Sequence, residues 1–268
     1  MLRSALALTL AAASLAASAG AQGKETTDNR FEWSGAVSRA GWIRVKNLNG
    51  RINVRESSGS TARIVGVKYV RRGDADYVRF YSEQLPNGGI LVCALWGENS
   101  ECSEDSYRSN SNNHHDDGRR NETEVEFTVE LPAGVNIGAG TVNGDVDVAG
   151  ATGEVKVSSV NGDVTATSSG GPVSGSTVNG GLRVRMGSVP PDADLHFSTV
   201  NGSIDITLPS SFEADVELRT VNGSFRTDFP MTLDGRISPR RLRAKIGRGG
   251  RELQATTVNG SIDIKKGS

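Results

Sequence analysis

The sequence predicts an all-β protein, a narrow parallel β-solenoid preceded by an N-terminal β cap region. Three observations lead to this fold class. The tripeptide Val-Asn-Gly occurs six times in the second half of the chain, and apolar and polar residues alternate after the copies. Glycine is frequent, at 33 residues, while only 5% of the residues are aromatic. A motif that recurs at similar spacing indicates stacked units, and the scarcity of aromatic residues predicts a thin core of Val, Ile and Leu.

Every copy of the motif has the same surroundings. Ser or Thr stands two residues before the asparagine, an apolar residue stands three residues after it, and a polar residue follows. This alternation is typical of a strand with one buried face. An octapeptide, Thr-Val-Asn-Gly-Ser-Ile-Asp-Ile, is even identical at 199–206 and 257–264. The predicted repeat corners are Asn143, Gly144, Asn161, Gly162, Asn179, Gly180, Asn201, Gly202, Asn222, Gly223, Asn259 and Gly260.

The Asn-Gly pair predicts a tight corner, because both residues tolerate a positive φ. Asn-Gly is also a hairpin signal, so an antiparallel meander is the alternative. Parallel coils are favoured because near-identical units recur in one phase and can stack like on like. A second strand also fits within one unit, as in Glu154-Val155-Lys156-Val157. Each coil should therefore contain two strands.

The outward polar column carries charges of both signs. If the coils stack in sequence order, Arg183 lies beside Asp205, and Asp205 lies beside Arg226. Exposed ion pairs contribute only about 0.2–1 kcal/mol each. We therefore expect these charges to fix the register of the coils more than to stabilise them.

The first 21 residues have the features of a signal peptide. Arg3 is followed by an apolar run from Leu6 to Ala17, and Ala19-Gly20-Ala21 fits the cleavage pattern. A membrane anchor is the alternative, but the run is shorter than the roughly 20 residues that span a bilayer. The mature chain is predicted to begin at Gln22, to lack a transmembrane segment, and to be exported to the periplasm or the cell surface.

The mature chain divides into three predicted regions. Residues 22–40 should form a flexible lead-in. Residues 41–130 should form an N-terminal β region, with a divergent repeat around Asn49-Gly50 and a polar loop at 97–123. Residues 131–268 should form the VNG-repeat solenoid, interrupted by a basic loop or irregular coil within 230–250.

The chain has two cysteines, Cys93 and Cys102. Export permits a disulfide between them, and two free thiols are the alternative. Closing so short a loop would stabilise the fold by about 2.5–3 kcal/mol in the chain-entropy model.

The composition and motifs give little sign of chemistry. The balance of 30 Lys and Arg against 31 Asp and Glu argues against nucleic-acid binding. HExxH, Walker, GxSxG and CxxC motifs are absent from the sequence. We therefore predict no catalytic residues and no cofactor.

Three charged groups are candidates for ion or polymer binding. His114-His115 with Asp116-Asp117 could ligate a metal, Asp145, Asp147 and Asp163 could bind calcium, and the basic residues within 236–248 could contact an anionic polymer. The favoured interpretation is a solvated loop for the histidine group and for the basic residues, and a surface ladder for the aspartates. No metal site is therefore predicted. The Ser/Thr-x-Asn array is a fourth candidate, because a repeating polar face could match a repeating polymer. The favoured interpretation is that the array only holds the coils together, since polar ladders stabilise stacked strands without a ligand.

The motifs also resemble those of a known family. Leu131-Pro132-Ala133-Gly134 leading into TVNGDV, and the later SVNGDV and TVNGSIDI coils, resemble the bacterial putative-adhesin β-solenoid family, an exported domain of unknown function. The resemblance runs from about Trp42 to Ile264. It implies a single-stranded, right-handed parallel β-solenoid and transfers no catalytic residue.

The resulting functional prediction is a non-enzymatic, adhesin-like binding or scaffolding module of the bacterial cell envelope. Its partner would be an envelope polysaccharide or a protein. A polysaccharide-acting β-helix enzyme and a self-associating structural protein are the alternatives.

Overall fold

The computed structural model describes residues 23–109, 121–234 and 238–267. The predicted signal peptide and the His114-His115 group lie outside these ranges. In the N-terminal region the strands are β1 (Lys24–Thr26), β2 (Arg30–Ala36), β3 (Trp42–Lys46), β4 (Ile52–Glu56), β5 (Thr61–Val70), β6 (Val78–Gln84), β7 (Ile90–Trp96), β8 (Glu101–Cys102), β9 (Tyr107–Arg108) and β10 (Thr123–Leu131). A 3-10 turn at Ala75–Tyr77 precedes β6.

The repeat region continues with short strands. They are β11 (Asn136–Gly140), β12 (Val146–Ala151), β13 (Val155–Ser158), β14 (Val164–Ser168), β15 (Val173–Ser176), β16 (Leu182–Met186), β17 (Leu195–Ser198), β18 (Ile204–Leu208), β19 (Ala214–Arg219), β20 (Phe225–Thr227), β21 (Met231–Leu233), β22 (Arg241–Ile246), β23 (Glu252–Thr256) and β24 (Ile262–Lys266).

These strands form two long, largely parallel sheets, so the chain is an all-β protein with the architecture of a β-solenoid. Sheet A has the order β1-β6-β7-β3-β11-β13-β15-β17-β23-β19-β22-β21, and sheet B has the order β2-β5-β10-β4-β12-β14-β16-β18-β24-β20. One coil consists of a strand in sheet A, an Asn-Gly corner and a strand in sheet B. The coils from β11 to β18 pair in parallel with their neighbours, so the parallel prediction is confirmed and the meander is not formed there.

The core is a thin apolar column between the two sheets. Equivalent positions stack in register, as in Val146, Val164, Leu182 and Ile204 of sheet B, and all of them are buried. Burying one such side chain contributes about 1.5–3 kcal/mol. A single coil offers each of these residues only one layer of neighbours, so the stack as a whole buries them.

The N-terminal end of the stack is wider and mostly antiparallel. A first coil, β3 and β4, pairs in parallel with β11 and β12 on one side and with β7 and β10 on the other. Beyond β7 and β10 the pairing is antiparallel in both sheets. Phe80 packs 5.5 Å from Phe31 and 5.9 Å from Phe127, measured between ring centroids. Gly66 leaves the space for two of these rings, because a Cβ there would approach Phe80 and Phe127 to within 2.8 Å.

The lead-in predicted as flexible contains two strands. Strand β1 pairs with β6, and β2 pairs with β5 along seven residues. Phe31 of β2 is buried in the core, and its burial holds this segment in place. Val37 is buried in the core as well, and Trp33 packs against the core. The polarity of the segment concealed these apolar anchors.

The C-terminal coils do not stack in sequence order. Strands β23 and β24, which come last in the chain, lie between the coil at Asn201 and the coil at Asn222. Arg183 does lie beside Asp205, as predicted. The predicted neighbours Asp205 and Arg226 are wrong, because Asp263 stands between them. The two identical octapeptides therefore lie directly against each other.

The basic interruption is also more regular than predicted. Residues 241–246 form β22, which pairs antiparallel with β19, and β21 pairs with β22 to end sheet A. Arg241, Arg243 and Lys245 alternate with buried or half-buried apolar residues, which is why the segment forms a strand and not a loop. In the described parts of the chain, no helix has both the length and the apolar character needed to cross a membrane.

Candidate binding site

The Asn-Gly corners form a continuous asparagine ladder along one edge of the solenoid. The amide nitrogen of Asn161 donates to the amide oxygen of Asn143 at 2.8 Å, and the same bond joins each following pair in the stack. The backbones of neighbouring asparagines also bridge in parallel. The ladder continues through the inserted coil in the spatial order Asn143, Asn161, Asn179, Asn201, Asn259 and Asn222.

A buried hydroxyl column runs beside this ladder. The hydroxyl of Thr177 donates to the carbonyl oxygen of Gly162 in the preceding coil at 2.9 Å. Equivalent bonds are made by Thr141, Ser159, Thr199, Thr257 and Thr220. The Ser/Thr column is therefore a buried structural element, not an exposed polar face for a ligand.

We expect Thr177→Val to lower the free energy of unfolding by about 1–2 kcal/mol, because the buried carbonyl of Gly162 loses a donor while the side chain keeps its shape. Urea denaturation of the purified protein measures this change. Thr165→Val, at an outward position of sheet B, is the matched control and should stay within about 0.5 kcal/mol. Equal effects of the two substitutions would contradict a structural role for the hydroxyl column.

Glycine stands at the corners for a reason that differs from the predicted one. Among the six Val-Asn-Gly corners, only Gly144 has a positive φ, of 147°, and none of the asparagines has one. A Cβ on Gly162, Gly180, Gly202, Gly223 or Gly260 would instead overlap the carbonyl group of the glycine in the neighbouring coil. Glycine is needed there because the coils approach each other closely.

An exposed apolar ridge follows the same edge. The valine of each motif points outward, and Val160, Val178 and Val200 are 38–39% exposed. Val221 is also exposed, and the equivalent residues Leu48, Val142 and Val258 are half-buried. In spatial order the ridge consists of Leu48, Val142, Val160, Val178, Val200, Val258 and Val221.

The described residues also form an open groove of about 830 Å³ on the outer face of sheet A, next to this ridge. A row of small residues, one from each coil, runs along it. These residues are in register between neighbouring strands. We call this site the serine groove, and its row consists of Gly140, Ser158, Ser176, Ser198 and Thr256.

The serine groove has a second row and one raised wall. The second row contains Gly138, Lys156, Ser174, His196 and Gln254, while Val142 and Val160 of the apolar ridge lie along one side. Since neighbouring strands are about 4.8 Å apart, the first row extends over about 19 Å. The groove offers hydroxyl, imidazole and amide groups at regular intervals.

A disulfide-linked hairpin closes the N-terminal end of the groove. Cys93 of β7 is bonded to Cys102 of β8, so the structure contains the predicted disulfide. Strands β8 and β9 pair with each other, which gives the described part of the predicted 97–123 loop a defined form. Asp105 and Tyr107 of this hairpin line the groove.

Polar contacts anchor the hairpin to sheet A. The Lys46 ammonium donates to the carbonyl oxygens of Ser103 and Glu104, both at 2.7 Å, and Arg44 contacts the Glu104 carboxylate at 2.9 Å. Burial, together with the neighbouring Arg44, lowers the pKa of Lys46. Burial raises the pKa of Tyr107, whose hydroxyl donates to the carbonyl oxygen of Ala94.

Cationic residues flank the groove row at both of its ends. In register, the row continues from Gly140 to Lys46 on one side and from Thr256 to Arg219 and then Arg241 on the other. Burial alone would raise the pKa of Glu217, but Arg219 and Arg241 bind its carboxylate and hold the pKa below its usual value.

The other charged candidates do not come together. Four members of the basic run pair with the acidic residues around β19: Arg241 and Arg243 contact Glu217, Lys245 contacts Asp215, and Arg248 contacts Glu213. The carboxylate of Asp145 accepts from the backbone nitrogen of Asp163, whose own carboxylate accepts from that of Gly181. In the described ranges no three His, Cys, Asp or Glu residues are grouped as metal ligands.

The serine groove was not predicted, although the sequence contains a signal for it. The residue three positions before the motif asparagine is small in five of the six copies, the exception being Arg219. The alignment of the copies alone does not show that this position faces outward in one continuous row.

Comparisons with known proteins place the chain in a family. The model of the family described as Toastrack DUF4097 matches residues 30–265. A putative cell adhesion protein from Clostridium sporogenes has a similar solved structure, with 13% identity, a TM-score of 0.43, and coverage of 89% of this chain and 100% of its own. A putative adhesin from Bacteroides fragilis has 12% identity, a TM-score of 0.23, and coverage of 88% and 96%. None of the curated proteins compared matches the sequence. Because the family model covers most of the residues, the chain belongs to the Toastrack DUF4097 family.

Proposed function

We propose that this protein is a non-enzymatic, adhesin-like binding module of the bacterial cell envelope, and that it holds an extended polysaccharide in the serine groove. The observation that carries the proposal is the row of small hydroxyl and glycine residues along sheet A, from Gly140 to Thr256. The disulfide and the predicted signal peptide support export to the periplasm or the cell surface.

The shape of the groove favours a polymer over a compact ligand. Small-molecule sites are concave and enclose most of the ligand surface. The serine groove is open, about 19 Å long in its first row, and lined by groups that both donate and accept hydrogen bonds. A hydroxyl-rich chain lying along the solenoid axis would meet equivalent groups at each coil.

The content of the groove supports binding without catalysis. Its lining contains one carboxylate, Asp105, and one imidazole, His196. Glycoside hydrolysis normally needs two carboxylates on opposite sides of the scissile bond. Hydrolysis by such a pair of carboxylates therefore finds no support in this lining.

Blocking the groove tests the proposal. Residues 22–268 would be titrated calorimetrically with a panel of purified soluble envelope polysaccharides and peptidoglycan fragments. Ser176→Trp fills the middle of the groove and should weaken binding at least tenfold, while Thr165→Trp, at an outward position of sheet B, should leave it unchanged. The absence of binding to every member of the panel, or equal losses from both variants, would refute the proposal.

A further inference from the structure

The C-terminal coil, defined as residues 251–267, occupies an internal position in the stack. Strand β23 is paired with β17 on one side and with β19 on the other, and β24 is paired in the same way with β18 and β20. The last segment of the chain thus fills a slot between two coils that precede it in sequence.

We propose that the C-terminal coil is exchangeable and that a second copy of this chain binds by reciprocal insertion of this coil into the slot. The partner is therefore identical to the protein itself, and the interface already exists within one copy. Exchanging an identical element between copies is a low-cost route to a dimer, because no new contacts have to be created.

The two coils that border the slot, at Asn201 and Asn222, contain the same repeat residues as the other coils. They would therefore accept the C-terminal coil of either copy. The amide of Asn259 donates to Asn201 at 2.7 Å and accepts from Asn222 at 2.8 Å. The hydroxyl of Thr257 donates to the carbonyl oxygen of Gly202, and that of Thr220 donates to Gly260. All of these partners lie within repeat units, so a coil from a second copy makes the same bonds.

The segment that leads into the coil has the features of a hinge. Only residues 247–251 connect β22 to β23, although these two strands lie on opposite sides of β19. Gly247, Gly249 and Gly250 all have positive φ values, of 60°, 77° and 119°. Short, tightly wound hinges favour domain swapping, and five extended residues reach about 17 Å.

The side-chain contacts of hinge residues 247–250 are exposed, whereas Arg251, at the start of the coil, donates to the carbonyl oxygen of Val189 at 2.7 Å. The backbone nitrogen of Gly250 donates to the Asp215 carboxylate at 3.0 Å, and Arg248 contacts Glu213 at 3.1 Å. Exposed ion pairs of this kind contribute little to stability. The hinge can therefore open without disturbing the N-terminal end of the stack.

A cysteine pair that spans the slot tests the exchange. Asp205 and Asp263 are in register on neighbouring parallel strands, so Asp205→Cys with Asp263→Cys places the two thiols within disulfide reach. Residues 22–268 carrying both substitutions would be concentrated, separated by size exclusion, oxidised as separate fractions, and run on a non-reducing gel. The dimer fraction should give covalent dimers of twice the monomer mass, and the monomer fraction should give only internally cross-linked monomers.

The control pair is Thr165→Cys with Arg183→Cys, which are in register within the body of the stack. This pair should cross-link internally in both fractions. Should the slot variant fail to fold, two differently tagged wild-type copies can be mixed below the melting temperature and examined for mixed dimers by native mass spectrometry. A protein that stays monomeric at all concentrations, or a dimer whose slot cysteines cross-link only internally, would overturn the proposal.

Discussion

Replacing Gly180 with alanine should lower the free energy of unfolding by about 3 kcal/mol, the upper part of the range for overpacking. The added Cβ would overlap the carbonyl group and the following backbone nitrogen of the neighbouring coil. These backbone atoms belong to the parallel bridge between the coils and cannot move away as the end of a flexible side chain could. The coils would have to separate, which weakens the asparagine ladder at the same place.

The matched control is the adjacent Gly181→Ala. Its Cβ would lie 3.5 Å from the nearest atom, the carbonyl oxygen of Ser203, which is an ordinary contact. The substitution should be neutral or stabilise by up to about 1 kcal/mol through a less flexible unfolded chain. Thermal unfolding followed by circular dichroism should separate the two variants by about 6–12 °C. Similar melting temperatures would mean that the corners are looser than the structure has them.

Replacing Ile262 with alanine should destabilise the protein more than replacing Phe225, although the phenylalanine loses more atoms. Ile262 lies between Ile204 and Phe225 and is fully buried. Phe225 lies in the last strand of sheet B and is only half-buried. We expect a loss of about 3–4 kcal/mol for Ile262→Ala and of about 1–2 kcal/mol for Phe225→Ala.

This ranking distinguishes the two possible orders of the coils. If the coils stacked in sequence order, Phe225 would be internal and Ile262 would be terminal, and the ranking would be reversed. Guanidinium unfolding of both variants gives the comparison. Lys265→Ala, on the same strand as Ile262 but exposed, should change stability by less than about 0.5 kcal/mol and serves as the control.

The inserted coil also changes the expected effect of charge reversal in the outward column. Asp205 is flanked by Arg183 and Asp263, and its carboxylate binds the Lys265 ammonium at 2.9 Å. Reversing this charge turns the attractions to Arg183 and Lys265 into repulsions and the repulsion from Asp263 into an attraction, so the effects partly cancel. Arg226 instead pairs with Asp263 at 2.8 Å.

The sequence by itself determined the coil. The alternation after each Asn-Gly corner required one buried face, and near-identical units in one phase required parallel stacking, because like side chains pack best on like. The two cysteines and the predicted export likewise favoured the disulfide, because an oxidising compartment permits it, while two free thiols stayed open until the structure brought Cys93 and Cys102 together. These features depend on residues that are close together in the chain.

Only the tertiary structure decided the order of the coils, the placement of the lead-in and the existence of the serine groove. Two identical octapeptides and a near copy fit the same slot almost equally well, so local pattern cannot rank them. The connection through β21 and β22 decides which octapeptide takes the internal position. Strand β22 pairs with one edge of β19, and the chain then returns so that β23 pairs with the other edge of β19. Long-range pairing of this kind depends on which strand edges remain free after the other strands have paired. A repeat that is the same in every coil does not indicate which edges those are.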